Sequence, residues 1–458
     1  MSHYRAVRLA WFTPWPPQRS GIAGRSAELV AALAARGHGI DVFVDERDVP
    51  VARSIDAAAP SDGVIRVQSA HEFVWRQGRG QFDLAVYQIG NSRLHQFIWP
   101  YLFRWPGLTV LHDARLHHAR GRALLASRRP DVYRAEFAWN HPETSGDAAE
   151  LGVRGFDGVY YYAWPMVRSV LAASRLTVTH TLGGARELAE TWPDYPIEYV
   201  PLGEGRDRLL DSDVRQRLRA ELGWSPATVG FGVFGALTAE KRVPQVLRAF
   251  ATTLGRVPAA RLLLVGTLDP EVDYAELVRS LGLTRVVTVV AEPGDDRFDD
   301  LIASVDVSLN LRWPTAVEMS GPWLRALAAG RPTVVLDLMQ HQGLRMLDPR
   351  SWHTTGPGGA DPVAVAIDIV DEDHSLRLAM HRLAEDGGLR HRLGQAARQY
   401  WERTHTVPHM MTSYEQVLAR AGSLPSPASS LPYGLRPDAL ETTRAMVSSV
   451  DRSACVFD

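Results

Sequence analysis

Ala6-Val-Arg-Leu-Ala-Trp-Phe12, then Gly21-Ile-Ala-Gly-Arg-Ser-Ala-Glu-Leu-Val-Ala-Ala-Leu33, then Ile40-Asp-Val-Phe-Val44 are the segments whose order decides the architecture. The first is a short apolar run of strand length. The second follows a Pro-rich loop, Thr13 to Ser20, and repeats its apolar residues with the helical period until Gly37 supplies a stop. The third is another buried strand. Ala6 to Val44 therefore reads as a β-α-β unit, whose crossover makes the two strands parallel.

Similar runs recur at Leu84-Ala-Val-Tyr87, Leu108-Thr-Val-Leu111, Leu176-Thr-Val-Thr179 and Ile197-Glu-Tyr-Val200. Strands buried on both faces of a parallel sheet are apolar throughout rather than alternating. Arg120 to Ala172, with clusters such as Tyr160-Tyr-Tyr-Ala-Trp164, reads as helical cover plus an insertion. Around Gly203 to Pro226 the pattern resets. After a helical Asp213 to Leu222, a second series of strands begins with Val229 to Phe234 and continues at Leu262 to Val265, Val286 to Val290, Val307 to Leu309 and Thr333 to Leu336. Val243, Val246, Leu247, Phe250 and Leu254 lie on one face of an intervening helix. Helices are expected from Val363 to Arg403 and from Met410 to Ala421.

The 458-residue chain thus divides into two Rossmann-like, doubly wound α/β domains, residues 1–205 and 206–405. A C-terminal helix over 406–422 has the option of crossing back to the first domain, and Ser423 to Pro432 opens a tail, 423–458, that is expected to be mobile. Ligands of such sheets bind outside the carboxyl ends of the strands, so two facing domains are expected to place their sites in the cleft between them.

With 45% hydrophobic residues, 22% charged residues and a formal net charge of -2, the composition is that of a folded protein with no global attraction to nucleic acid or anionic membranes. The single cysteine, Cys455, excludes an internal disulfide framework, and no Cys/His grouping has zinc-finger spacing. Met1 to Ala10 lacks a signal-peptide core, and no stretch approaches the ~18 apolar residues of a membrane span. The expectation is a soluble cytoplasmic protein, with peripheral contact at the inner membrane face left open.

Gly230-Phe-Gly-Val-Phe-Gly235 matches G-x-G-x-x-G, but its glycines fall inside a strand rather than in the turn after one, so it is not read as a dinucleotide fingerprint. Asp211-Ser-Asp213 imitates a metal-binding pair, yet it stands directly before a helical run, where acidic residues cap. Gly235-Ala-Leu-Thr-Ala-Glu-Lys-Arg242 is more informative: it leads from a strand through a glycine and a lysine into an amphipathic helix. Taken alone, a lysine in such a loop is usually a solvated charge. In Pro314-Thr-Ala-Val-Glu-Met-Ser-Gly-Pro-Trp-Leu-Arg-Ala-Leu-Ala-Ala-Gly-Arg-Pro-Thr-Val-Val335, Pro322 suits a first helical turn and Gly330 the position after the last. Glu318 and Ser320 then sit at a helix N-terminus, where unpaired N–H groups hold phosphate oxygens.

These two elements, with Ala249-Phe250 and Arg261-Leu-Leu-Leu-Val-Gly266 between them, resemble the donor domain of glycosyltransferase family 4. The resemblance runs from Arg5 to about Ala421. It implies a GT-B fold, a nucleotide diphosphate sugar bound by the C-terminal domain, an acceptor glycan, lipid or small molecule bound by the N-terminal domain, and transfer of a hexosyl group with retention. It implies neither metal nor other cofactor. Carried over by position, Lys241 binds the diphosphate, Glu318 the sugar, and Gly235, Met319, Ser320 and Gly321 line the donor. Family 4 commonly has two glutamates separated by seven residues, the second standing five before the glycine. Here Arg325 stands five residues before the glycine and Ala326 stands where alignment on Glu318 puts it, so Arg325 is expected to take over part of the diphosphate or ribose contact. A non-catalytic GT-B subunit, and a sugar-nucleotide epimerase or hydrolase, stay open as alternatives.

In the first half, Gly21 follows the first strand and matches the family's glycine loop, which the resemblance assigns to the donor. Gly90-Asn91-Ser92 and His112-Asp113 follow their strands' carboxyl ends, and the pattern His112 to His117 resembles a family element whose histidine lies close to the transferred sugar. Asn91, Asp113 and His117 are assigned to the acceptor side or the sugar. A metal set of His112, Asp113, His117 and His118 is the rival reading, and a surface position for His117 and His118 is the plain one. Arg115, Arg120, Arg122, Arg128, Arg129 and Arg134 form either a solvated face or a site for a phosphorylated acceptor or lipid headgroup.

Overall fold

The computed structural model describes residues 6–18, 20–49, 65–206, 209–359, 361–427, 431 and 435. The chain forms two compact units. One comprises Met1–Thr179, Ala185–Tyr199 and Tyr414–Asp458, and the other His180–Gly184 and Val200–Ser413.

The first unit is built on a parallel sheet of β1 (Arg8–Phe12), β2 (Gly39–Val44), β3 (Ile65–Ser69), β4 (Leu84–Ile89), β5 (Leu108–Leu111), β6 (Leu176–Thr179) and β7 (Ile197–Tyr199), in the order β3-β2-β1-β4-β5-β6-β7. The helix Gly21–Ala34 makes the β1-to-β2 crossover. Ser20 caps it by accepting from the Ile22 amide, and Ala23, Ser26, Leu29, Val30 and Leu33 form its buried stripe. Phe12 is fully buried, its ring centroid 5.1 Å from Phe43, 4.9 Å from Phe73 and 5.0 Å from Tyr87. A side chain of that kind contributes about 1.5–3 kcal/mol through burial. The long insertion folds as short helices, among them His117–Ala126, Pro130–Asn140 and Gly146–Val153, around Leu124, Tyr133, Phe137, Ala148, Ala149 and Met166. β3 and the helix Ala70–Gln77 have no counterpart in the sequence reading.

The second unit has an eight-stranded sheet: β8 (Val229–Phe234), β9 (Ala260–Val265), β10 (Val287–Val290), β11 (Val307–Asn310), β12 (Thr333–Leu336), β13 (Met346–Leu347), β14 (Thr354–Thr355) and β15 (Ala364–Ile367), ordered β10-β9-β8-β11-β12-β15-β13-β14. Among the described residues only the β13–β14 pair is antiparallel. β15 corrects the expectation that helices begin at Val363. The run Ala364-Val-Ala-Ile367 is buried on both faces and pairs with β12, and helices resume only at Glu372–Glu385 and Gly387–Thr404. Val243, Val246, Leu247 and Phe250 are fully buried on the helix Val243–Arg256.

The last helix, Val407–Ser423, is divided between the units at Ser413 and Tyr414. Within the first unit Tyr414 lies 6.3 Å from Trp11, ring to ring, and Glu415 pairs with Arg36 at 3.1 Å. Most of the 423–458 tail, Cys455 included, lies outside the described residues. Among the described residues no helix is long and apolar enough to cross a membrane.

Candidate active site

Strand order reverses between β1 and β4 in the first sheet and between β8 and β11 in the second. The crossovers leaving such a pair diverge, which opens a crevice at the carboxyl ends. In the second unit the crevice lies beside the candidate donor residues.

The chain leaves β8 through Gly235, whose φ of 103° suits glycine and whose amide donates to Val265. A short helical turn, Ala239–Lys241, follows, and Arg242 takes a left-handed conformation before the long helix starts. The chain leaving β11 is stitched to this turn: the Trp313 amide donates to the Glu240 carbonyl at 2.9 Å, and the Arg242 guanidinium lies 5.4 Å from the Trp313 ring. Arg242 is held from the other side by Glu372 at 2.9 Å.

Lys241 is 3% exposed. Its Nζ is 3.8 Å from the point a Cβ on Gly235 would occupy, and Pro322, in the first turn of the helix Gly321–Ala328, is 3.4 Å from the same point. The ammonium and the helix start therefore adjoin one glycine. Among the described residues no carboxylate lies within ion-pair distance of Lys241. Burial lowers its pKa to about 7, the nearby Arg312 adds to the effect, and Glu318 opposes it. Ser320 caps the helix by accepting from the Trp323 amide. Pro322 has no amide hydrogen, so Gly321 and the positive end of the helix dipole remain for an anion.

Glu318 is held from two sides. Arg312 Nη1 lies 2.5 Å from its Oε1, and the Thr315 hydroxyl donates to its Oε2 at 3.0 Å. Thr315 also accepts from the Val317 amide at 3.0 Å. Val317 has a φ of 61°, strained for a β-branched residue, and its carbonyl accepts from the Thr181 hydroxyl. Met319 is half-buried between these anchors and the cap. Arg312, Thr315 and Thr181 are not picked out by the sequence, because each acts through a contact that folding creates.

The structure commits Arg325 elsewhere than to the expected diphosphate or ribose contact. Its guanidinium pairs with Glu204 at 2.7 Å, Asp299 at 3.1 Å and Asp295 at 3.5 Å, and lies 5.5 Å from the Phe298 ring. Burial disfavours its charge, but Glu204 and Asp299 outweigh that and raise its pKa. A guanidinium already neutralised by three carboxylates is a poor ligand for a further anion.

In the first unit, Gly90 ends β4 in a confined place, where an added Cβ would come within 2.8 Å of Ile22, 2.9 Å of His95 and 3.2 Å of Asp113. Asp113 Oδ2 accepts from the Asn91 amide at 2.6 Å, and Asn91 Oδ1 accepts from the Ala119 amide, capping the helix His117–Ala126. His112 is fixed at Nε2 by Gln88 Oε1, 2.7 Å away. Asn91, His112 and Asp113 thus gather at the ends of β4 and β5, while Gly21 opens its helix on the surface.

His117 departs from both the sugar-side and the surface readings. It is fully buried, 2.9 Å from the Tyr133 hydroxyl and ringed by Tyr133, Phe137, Tyr160 and Tyr161, and burial pulls its pKa to about 3. Among the described residues no three His, Cys, Asp or Glu side chains are grouped as for a metal ion. In the arginine-rich stretch, Arg115, Arg120, Arg122 and Arg134 are paired with Glu187, Glu136, Asp157 and Glu150. The glycines of the G-x-G-x-x-G match make room for packing: a Cβ on Gly230 would strike the Trp224 ring at 2.2 Å. Asp211 caps its helix by accepting from the Asp213 amide.

Solved structures share this architecture over nearly their whole length. WaaG, a glycosyltransferase involved in lipopolysaccharide biosynthesis, aligns with a TM-score of 0.58 and 16% identity, over 90% of this chain and 99% of its own. Sucrose-phosphate synthase from Thermosynechococcus elongatus aligns at 0.60 with 15% identity, over 91% and 99%. The fold is GT-B. HepE of Anabaena, solved with UDP and glucose, shares this GT-B fold at a TM-score of 0.59 and 14% identity, over 90% and 99%. In sequence, the D-inositol 3-phosphate glycosyltransferase of Rhodococcus erythropolis is 30% identical over 182 residues, which is 37% of this chain and 40% of that protein. The match thus spans well under half of that relative. No family model matches the chain.

Proposed function

We propose that the chain is a retaining, metal-independent glycosyltransferase that moves a hexosyl group from a nucleotide diphosphate sugar to an acceptor glycan, lipid or small molecule. One observation carries the reading: a buried lysine with no carboxylate partner among the described residues and a helix N-terminus adjoin the same glycine at a topological switch point. An enclosed cation of this kind is stabilised by an incoming anion, and a diphosphate is the anion that gains charge when a sugar leaves it.

In this reading Lys241 and the Gly321 end of the helix take the diphosphate, with Gly235 giving it room. Glu318, oriented by Arg312 and Thr315, accepts hydrogen bonds from sugar hydroxyls. As the bond to the anomeric carbon lengthens, the leaving phosphate accepts the acceptor's proton, so no separate base is required. His112 is assigned to the transferred sugar, Gly21 to the donor, and Asn91 and Asp113 to the acceptor side or the sugar. The GT-B neighbours and the partial match to a glycosyltransferase agree with it.

The test is a panel of UDP-, GDP- and dTDP-sugars, read by thermal shift and by nucleotide release. A bound ligand raises the melting temperature by mass action. Release that requires an acceptor supports transfer. Release without one indicates an epimerase or hydrolase, and binding without release a non-catalytic subunit; either result overturns the proposal.

A further inference from the structure

The second unit carries another concentration of positive charge, at the opposite edge of its sheet. Asp306 immediately precedes β11 and Arg331 lies just before β12, whereas Gly235, Lys241 and Glu318 follow the carboxyl ends of β8 and β11. A concave pocket of about 570 Å³ opens there, lined by Arg215, Arg331, Arg390, His391 and Arg398, with Asp306 as its one carboxylate among the described residues.

Asp306 does not balance this charge. It is already shared by Arg215 at 2.7 Å and Arg219 at 3.0 Å, and it accepts from the Gly230 amide at 2.7 Å. Arg398 pairs with Glu402 at 2.7 Å. Arg331 and Arg390 have, among the described residues, no carboxylate within ion-pair distance. They are steadied by main-chain carbonyls instead: Arg331 Nε donates to Ala329 at 2.9 Å, and Arg390 Nη1 to Leu383 at 2.6 Å and Ala384 at 3.0 Å. Such contacts fix the guanidinium groups in place without neutralising them. Burial, reinforced by Arg215, pulls the Arg331 pKa down to about 10, the direction expected of a cation short of anions.

We infer that this pocket is an anion site, separate from the candidate donor site, and that it takes a phosphate-bearing ligand through Arg331 and Arg390. Guanidinium groups held in fixed orientation suit the tetrahedral oxygens of a phosphate group. A soluble phosphate ester and a lipid headgroup present the same chemistry.

The experiment titrates inorganic pyrophosphate into the protein with UDP saturating the donor site, and repeats the titration on Lys241→Met, which removes the donor-site cation. The repeat separates the two sites even if UDP does not bind. The expected result is a pyrophosphate site in both, weakened at least about tenfold when Gln395→Glu and Gln399→Glu bring two negative charges to the exposed rim, and weakened by added salt. Neither glutamine belongs to the candidate active site, and an unchanged melting temperature shows that the double variant is folded. A parallel sedimentation uses phosphatidylcholine vesicles with and without phosphatidic acid. Sedimentation with phosphatidic acid that pyrophosphate reverses assigns the ligand to a lipid headgroup, and its absence beside pyrophosphate binding assigns it to a soluble phosphate. No pyrophosphate binding in either protein, or binding that the double variant leaves unaltered, overturns the inference.

Discussion

The Thr181 hydroxyl donates a 3.1 Å hydrogen bond to the main-chain carbonyl of Val317, 136 residues away in sequence. Val317 is held in the left-handed region directly before Glu318, and its amide is taken by Thr315, which also reaches the Glu318 carboxylate. Thr181 thus clamps the peptide that aims the candidate sugar-binding glutamate. Thr181→Val is expected to cost about 1–2 kcal/mol of stability through the unsatisfied carbonyl. It should also weaken binding of the intact sugar nucleotide more than binding of UDP. Equal loss for both ligands in calorimetry would mean that the clamp does not act through Glu318.

Lys241→Met should separate stability from binding. Removing a buried ammonium that lacks a carboxylate partner among the described residues is expected to raise the melting temperature of the unliganded protein by about 2–4 °C for each kcal/mol gained. UDP affinity should fall by at least about tenfold, since a charge-assisted contact to phosphate is lost. Calorimetry and a melting curve on the same sample check both halves.

The same lysine sets a pH dependence. With a pKa near 7 in the unliganded protein, it is charged below that pH and increasingly neutral above it. A bound diphosphate raises that pKa, so UDP affinity should be flat below pH 7 and then fall by up to about tenfold per pH unit. The unfolded chain, with a lysine pKa near 10.4, binds more protons than the folded one between about pH 7 and 10.4. The Lys241 contribution to unliganded stability therefore rises with pH across that window. Both slopes should be absent in Lys241→Met.

Buried histidines act at the acid side. Burial holds His95, His141, His341 and His405 at about 4, below the ordinary value of 6.5. Between those values the unfolded chain takes up protons that the folded chain refuses, so stability drops as pH falls from about 6.5 toward 4, by up to about 1.4 kcal/mol per pH unit for each histidine. Urea titrations at pH 7.5, 6 and 5 read this directly; equal midpoints would refute it.

Arg325→Ala tests whether that guanidinium is a ligand or a brace. Its removal leaves Glu204, 8% exposed, without its 2.7 Å partner, and breaking a buried pair in this way costs about 3–5 kcal/mol. UDP affinity should change little in the protein that remains folded, and adding Glu204→Gln should restore part of the lost stability.

The β-strands around both switch points were legible because a strand covered on both faces is written as a short apolar run, whatever its partners. Pro322 and Gly330 bracketed their helix for reasons equally local. β15 was misread because Ala364-Val-Ala-Ile367 is too short to show a period and helical sequence follows it. Within the candidate site, Lys241 could be picked out because it lies between a strand-ending glycine and a helix, and Glu318 because it stands just before a helix start. The contact that holds the peptide before Glu318 could not, since Thr181 lies 136 residues from Val317, and neither could the pairing of Arg325 with Glu204, 121 residues away. His117 misled because its motif spacing carries no information on which way the helix beginning there turns it, and the aromatic insertion claims it instead.

The enclosure of Lys241 also makes ligand arrival a chemical exchange with the buffer. With its pKa pulled down to about 7, Lys241 is partly deprotonated near neutral pH, so a diphosphate that binds beside it would draw a fraction of a proton from solution and return it on departure. The heat of association should then shift with the ionisation enthalpy of the buffer chosen, being different in Tris and in phosphate at the same pH.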